Sequence, residues 1–213
     1  MSKVYFVSGI DTDAGKTYVT GYIARKLMDE GKRVITQKFI QTGNVGMSED
    51  IEAHRRIMGT GMLPEDIDHT TAPVIFSYPA SAQLAARIDG KEIDLAVIDR
   101  ATERLKSLYD IVLVEGAGGL AVPITDTFMA IEYVQTRKLP VILVTNGVLG
   151  SINHTVLSLE AIRSRGIELA AVLYNEHFDT DETIAADTRG FISRYVSRNF
   201  PTARFATIPS IKG

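Results

Sequence analysis

The strongest constraint on the fold is the segment Gly9-Ile10-Asp11-Thr12-Asp13-Ala14-Gly15-Lys16-Thr17. It follows a short apolar run at residues 4–8 and precedes apolar residues that recur at helical intervals, so it joins a predicted strand to a predicted helix. Small residues in such a loop let several backbone N–H groups point inward, and the N-terminus of the helix adds positive potential. Lys16 is suited to meet the β- and γ-phosphates of a nucleotide, and the Thr17 hydroxyl is suited to ligate magnesium. The segment therefore predicts a phosphate loop.

The spelling of this loop is irregular. Gly9 and Gly15 enclose five residues where the usual motif has four, which leaves Ile10 at the regular glycine position. The alternative is an ordinary strand-to-helix turn in which Thr12 or Asp13 only caps the helix. The preceding strand, the spacing and Gly15-Lys16-Thr17 together favour nucleotide binding.

Short β-branched runs alternate along the chain with longer stretches of helical period, which is typical of a parallel sheet wrapped by helices. Between the first two runs, apolar residues at helical spacing are followed by Gly31 as a helix stop. Residues 40–100 fit the alternation less well and are interpreted as helices and loops of the same domain. The predicted fold is α/β, a doubly wound, mostly parallel sheet flanked by helices, P-loop NTPase-like, in a single domain of residues 1–213. Strands are predicted at residues 4–8, 34–39, 111–115, 141–146 and 169–175, with a weaker candidate at 204–208.

Composition excludes several functions. Lysine and arginine total 23 against 26 acidic residues, so a net charge of −3 offers no broad basic surface and no nucleic-acid partner is expected. The chain has no cysteine, which excludes disulfides and thiolate sites and leaves a hard, oxygen-bound metal such as magnesium. Because no apolar window approaches the roughly 18 residues of a membrane span, and the N-terminal apolar run is short for a signal peptide, we expect a cytoplasmic protein without a membrane partner. The four histidines, His54, His69, His154 and His177, are scattered and have no predicted chemical role.

Two carboxylates are candidates for the metal. Glu115 ends a buried strand and precedes a glycine-rich segment, 116–119, which is interpreted as a tight turn. Ligands gather at the carboxyl ends of strands in doubly wound sheets, so Glu115 should share an edge with the phosphate loop. Asp50 is ambiguous, because Ser48 is a plausible helix cap and an acid in the first turn suits the helix dipole without any metal.

Lys38 ends the second predicted strand and should face the same edge, where its charge could stabilise a transferring phosphoryl group. Thr42, a few residues later, could hydrogen-bond a substrate. A further anion site is suggested at residues 150–153, where a glycine-containing loop opens a helix and free N–H groups would accept a carboxylate. The alternative for this segment is a surface helix capped by Ser151 or Asn153.

The chain resembles the dethiobiotin synthetase family over nearly its whole length. Five separated segments carry the resemblance in order: the phosphate loop at 9–17, Gln37-Lys38 with Thr42-Gly43, Val114-Glu115-Gly116-Ala117-Gly118-Gly119, Leu149-Gly150-Ser151-Ile152-Asn153-His154, and Tyr174-Asn175-Glu176. The resemblance implies a homodimer of P-loop α/β fold that uses ATP and Mg²⁺. It also implies diaminopelargonic acid and carbon dioxide as substrates, with dethiobiotin, a cyclic urea, as product.

The resemblance further assigns roles to residues of this chain. Catalysis would fall to Lys38, Lys16 and Thr12, and the metal would be surrounded by Thr17, Asp50 and Glu115. Nucleotide binding would involve Asp13, Ala14, Gly15, Lys16, Thr17, Tyr18, Asp50, Glu115, Gly116, Ala117, Gly118, Asn175, Glu176, Pro209 and Ser210, with Asn175 reading the adenine edge. Substrate would contact Thr42, where the family commonly has a serine, together with Gly118 and Gly150, Ser151, Ile152 and Asn153, the last four from the neighbouring subunit.

Two rivals share the broad fold. Nucleotide-switched partitioning and septum-positioning ATPases carry an extra lysine four residues before the second loop glycine, where this chain has Asp11. They also often have a basic amphipathic helix or a basic DNA-binding face. An amidotransferase-linked ligase of cobalamin synthesis would need a glutaminase domain and its cysteine, which this chain lacks.

Overall fold

The computed structural model describes residues 2–210, so Met1 and residues 211–213 of the predicted domain lie outside the described part. The strands are β1 (Lys3–Gly9), β2 (Val34–Lys38), β3 (Gln41–Thr42), β4 (Ile75–Phe76), β5 (Ile111–Gly119), β6 (Pro123–Thr125), β7 (Phe128–Met129), β8 (Val141–Asn146), β9 (Leu169–Asn175) and β10 (Arg204–Ile208). The α-helices are α1 (Lys16–Asp29), α2 (Glu49–Met58), α3 (Pro64–Ile67), α4 (Ala82–Ile88), α5 (Leu95–Leu108), α6 (Ala130–Thr136), α7 (Ser151–Ser164) and α8 (Glu182–Asn199), and a 3₁₀ turn spans Glu176–Phe178.

Six strands form the central sheet in the order β10-β9-β8-β1-β5-β2, and every neighbouring pair is parallel. This architecture confirms the predicted doubly wound α/β class and all six predicted strands, including the weak candidate at 204–208, which is the edge strand β10. The switch in strand order falls at β1, whose neighbours are β8 and β5. The loop after β1 therefore lies at the position where doubly wound sheets bind ligands.

The inner strands are buried on both faces, which explains why they read as continuous β-branched and aliphatic runs. All six residues of the inner strand β8 are buried, and all five residues of β2 are buried too, although β2 is an edge strand. Helices cover the sheet, with α1 and α2 packed on each other as well as on β2. This packing brings the start of α2 to the carboxyl ends of β2 and β5.

Helix α1 begins directly after Gly15 and ends at Asp29. The predicted helix stop, Gly31, follows with a positive φ of 81°, and its N–H donates to the Met28 carbonyl. Ser48 caps α2 as predicted, because its Oγ accepts a hydrogen bond from the Ile51 N–H.

The interpretation of residues 116–119 as a tight turn was wrong. β5 runs on to Gly119, which pairs with Gly9 of β1 after a shift in register. A Cβ atom on Gly116 would lie 2.9 Å from the Phe6 ring, so this glycine is needed for close packing within extended backbone. Only Gly118, at φ 69°, has the left-handed conformation.

Candidate active site

One cleft at the carboxyl end of the sheet contains half of the predicted site residues. It encloses about 550 Å³. Its predicted members are Thr12, Asp13, Gly15, Lys16, Thr17, Lys38, Thr42, Asp50, Glu115, Ala117 and Gly118, and its unpredicted members are Ile40, Gln41 and Phe178. The first two could have been found from their place between Lys38 and Thr42, whereas no sequence signal marked Phe178.

The phosphate loop is shaped by its glycines. Gly15 has a φ of 79°, and a Cβ atom there would lie 2.2 Å from the Asn175 amide nitrogen. A Cβ atom on Gly9 would lie 2.6 Å from the Asp11 carbonyl oxygen and 3.0 Å from Lys16 Nζ. The first essential glycine of this irregular motif, Gly9, therefore lies one residue before the usual position. No side chain caps α1, so neither Thr12 nor Asp13 takes the helix-capping role of the alternative interpretation.

Lys16 lies in the concave side of the loop. Its Nζ donates hydrogen bonds to the carbonyl oxygens of Asp11 and Thr12, at 3.0 and 2.9 Å. Burial lowers the pKa of Lys16 to about 8, with the Lys38 charge adding to the effect and the Glu115 charge opposing it. This buried cation is electrostatically complementary to a ligand of high negative charge.

Lys38 joins two carboxylates. Its Nζ lies 2.8 Å from Glu115 Oε1 and 2.5 Å from Asp50 Oδ2, and only 5% of the residue is exposed. Burial opposes the charge of the ammonium group, but the charges of Glu115 and Asp50 outweigh burial and raise the pKa of Lys38. For the fully buried Glu115, burial likewise favours the neutral form, yet Lys38 and then His54 hold its pKa far below the ordinary range. Both groups are charged at neutral pH.

A cluster of oxygen atoms lies beside Lys38. The Thr17 hydroxyl is 2.9 Å from Asp50 Oδ1 and 3.1 Å from Glu115 Oε1, so three side chains from α1, α2 and β5 converge on one point. Within residues 2–210, no three His, Cys, Asp or Glu side chains form a metal cage by themselves. Magnesium at nucleotide sites is usually held by one or two carboxylates, water and phosphate oxygens, so two carboxylates and a hydroxyl fit it.

His54 contacts this cluster, although the sequence predicted no chemical role for any of the histidines. Its Nε2 lies 2.8 Å from Glu115 Oε2, and the imidazole is fully buried. Asp50 and His54 are one helical turn apart on α2, so they share a face of the helix. That spacing is the sequence signal that could have found His54.

The residues predicted for the base lie on the other side of the phosphate loop. Asn175 Nδ2 donates to the Ala14 carbonyl at 3.3 Å, and its Oδ1 accepts from the His177 N–H at 3.1 Å. The Tyr18 hydroxyl donates to the Pro209 carbonyl at 2.9 Å, which ties α1 to the turn after β10. Ser210 contacts the His177 ring at 3.4 Å, and Glu176 forms an ion pair with Arg189 at 2.7 Å.

Residues 150–153 do not line the cleft of their own chain. They open α7, where Gly150 has a φ of 100° and no side chain caps the helix. Ser151 instead donates to Asn146 Oδ1, so the alternative of a cap by Ser151 or Asn153 was wrong. Asn153 is exposed in the first turn, next to Leu149, whose side chain is 85% exposed.

A larger groove of about 630 Å³ lies between α1 and the β8–β10 part of the sheet. Its lining combines aliphatic and tyrosine side chains with charged residues such as Lys26, Glu30 and Arg204, and it contains none of the predicted site residues. None of the helices within residues 2–210 combines the length and apolarity needed to cross a bilayer.

The fold and the loop define a P-loop nucleotide-binding protein, and a family model described as an AAA domain matches residues 3–213. The ATP-dependent dethiobiotin synthetase BioD 2 of Pasteurella multocida is 45% identical over 211 residues, covering 99% of each chain. The ATP-dependent dethiobiotin synthetase BioD of Chlorobaculum tepidum is 50% identical over 196 residues, covering 92% of this chain and 82% of that protein. The chain belongs to the ATP-dependent dethiobiotin synthetase family, and it is an enzyme of the ligase class.

A solved ParA family ATPase from Chlorobium tepidum is similar in fold, with a TM-score of 0.57 and 16% identity. The alignment covers 100% of this chain and 86% of that one. At this identity the likeness concerns the fold alone.

Proposed function

We propose that residues 1–213 form one catalytic domain that carboxylates diaminopelargonic acid and closes the ring to dethiobiotin, converting ATP to ADP and phosphate in biotin biosynthesis. The observation that carries this proposal is the convergence of Lys16, Lys38, Thr17, Asp50 and Glu115 in one cleft. Two buried cations and a cluster of hard oxygen donors suit the transfer of a phosphoryl group from a nucleotide.

The reaction needs little covalent help from the protein. One amine of the substrate attacks carbon dioxide and, after losing a proton, becomes a carbamate. A carbamate oxygen attacks the γ-phosphorus while the bond to ADP breaks, which gives a carbamic phosphate anhydride. The second amine then attacks the carbamate carbon, and phosphate leaves as the cyclic urea forms. The protein positions the reactants and neutralises charge.

The two lysines neutralise negative charge at different points of the reactants. Lys16 and the N–H groups at the start of α1 hold the β- and γ-phosphates. Lys38 contacts the carbamate and the γ-phosphate, where negative charge changes most during transfer. Thr12 and Gly118 both line the cleft and are neighbours there, since a Cβ atom on Gly118 would be 3.6 Å from Thr12 Oγ1. Thr42 offers a hydroxyl on the substrate side of the cleft.

Thr17, Asp50 and Glu115 would hold Mg²⁺ with the nucleotide phosphates. The bound ion would neutralise charge on the phosphate oxygens. On the base side, Asn175, Pro209 and Ser210 surround the adenine, and Tyr18 fixes the turn that contains Pro209. The Asn175 amide already contacts Ala14, so its position is set by the phosphate loop itself.

The substrate carboxylate is bound by Gly150–Asn153 of a second copy in a homodimer. The uncapped start of α7 lies outside the cleft of its own chain and carries exposed Val148 and Leu149 beside it, which supports a role at a subunit interface.

A complementation experiment tests this arrangement. Protein with Lys38→Met and protein with Asn153→Asp should each lose activity, and a mixture allowed to exchange subunits should regain part of it. In mixed dimers, the cleft with native Lys38 then faces a native α7. A mixture no more active than its components would show that the carboxylate is bound within one chain.

The decisive experiment on the reaction measures ATP hydrolysis and dethiobiotin formation by the purified protein. Phosphate release should depend on both diaminopelargonic acid and bicarbonate, with one dethiobiotin formed for each phosphate. Phosphate release that ignores the diamine and responds to DNA, lipid or a protein partner would favour the nucleotide-switched alternative. The 45–50% identity to synthetases, against 16% to a ParA family ATPase, supports the enzyme.

A further inference from the structure

His54 is buried behind the oxygen cluster, where it contacts none of the space open to ligand. Its Nε2 lies 2.8 Å from Oε2 of Glu115, and both side chains have no exposed surface. The other oxygen of Glu115, Oε1, is paired with the Lys38 ammonium group at 2.8 Å, and a carboxylate in an ion pair accepts hydrogen bonds and has none to donate. The hydrogen between the two groups therefore belongs to His54 Nε2.

The two oxygens of Glu115 have separate partners. Oε1 faces the cleft, where it accepts from Lys38 Nζ at 2.8 Å and from the Thr17 hydroxyl at 3.1 Å. Oε2 faces away from the cleft, toward His54. A carboxylate with one oxygen bound from behind cannot rotate without breaking that bond, so the other oxygen stays aimed at the cleft.

From this division we infer that His54 is a positioning residue, which holds Glu115 in the orientation that presents Oε1 to the metal and to Lys38. The inference deepens the proposed function and rests on it, since the orientation of Oε1 matters only if the cleft binds the metal and the nucleotide. In this arrangement His54 acts as a hydrogen-bond donor to Oε2 of Glu115. Groups of this kind behind a metal ligand typically change metal affinity or activity by 10- to 100-fold when removed.

Helix α2 carries both Asp50 and His54. Asp50 and His54 lie one turn apart on the same face, so one helix supplies both a cleft carboxylate and the group behind Glu115. Ser48 fixes the start of that helix, because its Oγ donates to Gln41 Oε1 at 2.6 Å as well as capping the first turn. The position of the helix thus determines both contacts.

Three variants separate positioning from packing. His54→Leu removes the donor and fills most of the space, whereas His54→Gln keeps an N–H at nearly the same reach. His69→Asn is the control, since His69 is exposed, lies outside the site and has a φ of 61° that asparagine tolerates. Circular dichroism and thermal melting first establish that each variant is folded.

The principal readout is Mn²⁺ binding in the presence of ATP, followed by electron paramagnetic resonance, with the Mg²⁺ dependence of kcat as a second measurement. We expect His54→Leu to weaken Mn²⁺ binding by about tenfold or more, with ADP affinity in the absence of metal changed by less than about threefold. His54→Gln should recover most of the loss, and His69→Asn should match the native protein.

Folded His54→Leu protein that binds Mn²⁺ as the native protein does would overturn the inference while leaving the proposed function intact. Equal losses for His54→Gln and His54→Leu would also overturn it, because they would assign the effect to packing. Failure of the native protein to bind Mn²⁺ with ATP would overturn the metal site of the proposed function, and the inference with it.

Discussion

Lys38, the last residue of β2, and Glu115, in the middle of the adjacent parallel strand β5, are register partners, and their side chains meet at 2.8 Å although 77 positions separate them in the chain. The sheet pairs them before any ligand arrives. Side chains at paired positions of neighbouring strands point to the same face of the sheet, so the ion pair follows from the register of β2 and β5.

Replacement of Lys38 by methionine should lower kcat by about 100-fold or more, because it removes a charge that acts on the transferring group. Affinity for ADP should change by less than about threefold, since the phosphate loop is untouched. Steady-state kinetics and calorimetric binding measure the two quantities, with Lys32→Met, in the exposed loop between α1 and β2, as the control. Similar losses in kcat and affinity would argue against a role in the transition state.

Nucleotide affinity in the absence of metal should decrease as pH rises from 7 to 9. The pKa of Lys16 is lowered to about 8, so this lysine loses its positive charge within that range and its attraction for phosphate falls. One pH unit above the pKa, the loss approaches tenfold. Lys38 stays charged because its pKa is raised. Calorimetric titration with ADP measures the effect. An affinity that does not change between pH 7 and 9 would exclude it.

Replacement of Gly15 by alanine should abolish nucleotide binding and lower stability. A Cβ atom at this position would overlap the Asn175 amide at 2.2 Å, and a left-handed conformation costs alanine about 1–2 kcal/mol. Gly61→Ala is the matched control, because nothing lies within 4 Å of its Cβ position and its φ is ordinary. Normal ADP binding by folded Gly15→Ala protein would contradict the geometry.

The buried pair Arg55–Asp66 should dominate the acid stability of the helical segment after β2. Arg55 donates to both carboxylate oxygens of Asp66 at 2.8 Å, and both residues are at least 98% buried, with 2% and 1% exposed. Asp66→Asn leaves the guanidinium charge unpaired and should lower the free energy of unfolding by about 3–5 kcal/mol at pH 7. Urea denaturation measures this difference.

The pH dependence of that difference has a definite sign. Burial favours neutral Asp66, but the hydrogen bonds and charge of Arg55 outweigh it and lower the pKa of Asp66. Its contribution is therefore present above about pH 4 and is lost as pH falls through the lower folded-state pKa. Asp29→Asn, in the exposed pair with Arg25, should change stability by less than about 1 kcal/mol. A difference for Asp66→Asn that does not shrink as pH falls below about 4 would contradict this assignment.

The sequence predicted the strands and the phosphate loop well because both depend on contiguous residues. Lys38 and Glu115 followed from one further rule, that the carboxyl ends of parallel strands share an edge. Asp50 could not be decided in the same way, because an acid in a first helical turn has a sufficient local explanation. Its role depends on where α2 packs, which involves contacts with β2 and β5 far away in the chain.

The unpredicted features have the same physical origin. His54 reads as an isolated histidine until α2 is placed against Glu115, and residues 116–119 read as a turn until Gly119 is paired with Gly9. Glycine runs are ambiguous, since glycine serves both turns and closely packed strands. Long-range contacts, which local pattern does not encode, decided each case.

The bond from Tyr18 to the Pro209 carbonyl spans 191 positions and joins the first helix to the turn after the last strand. Synthesis proceeds from the N-terminus, so a ribosome finishes the phosphate loop long before it adds Pro209, which Tyr18 contacts in the folded protein. Truncated products that end before β10 would keep the phosphate loop but lack the turn that Tyr18 contacts, and a nascent chain acquires this contact only after β10 has been added.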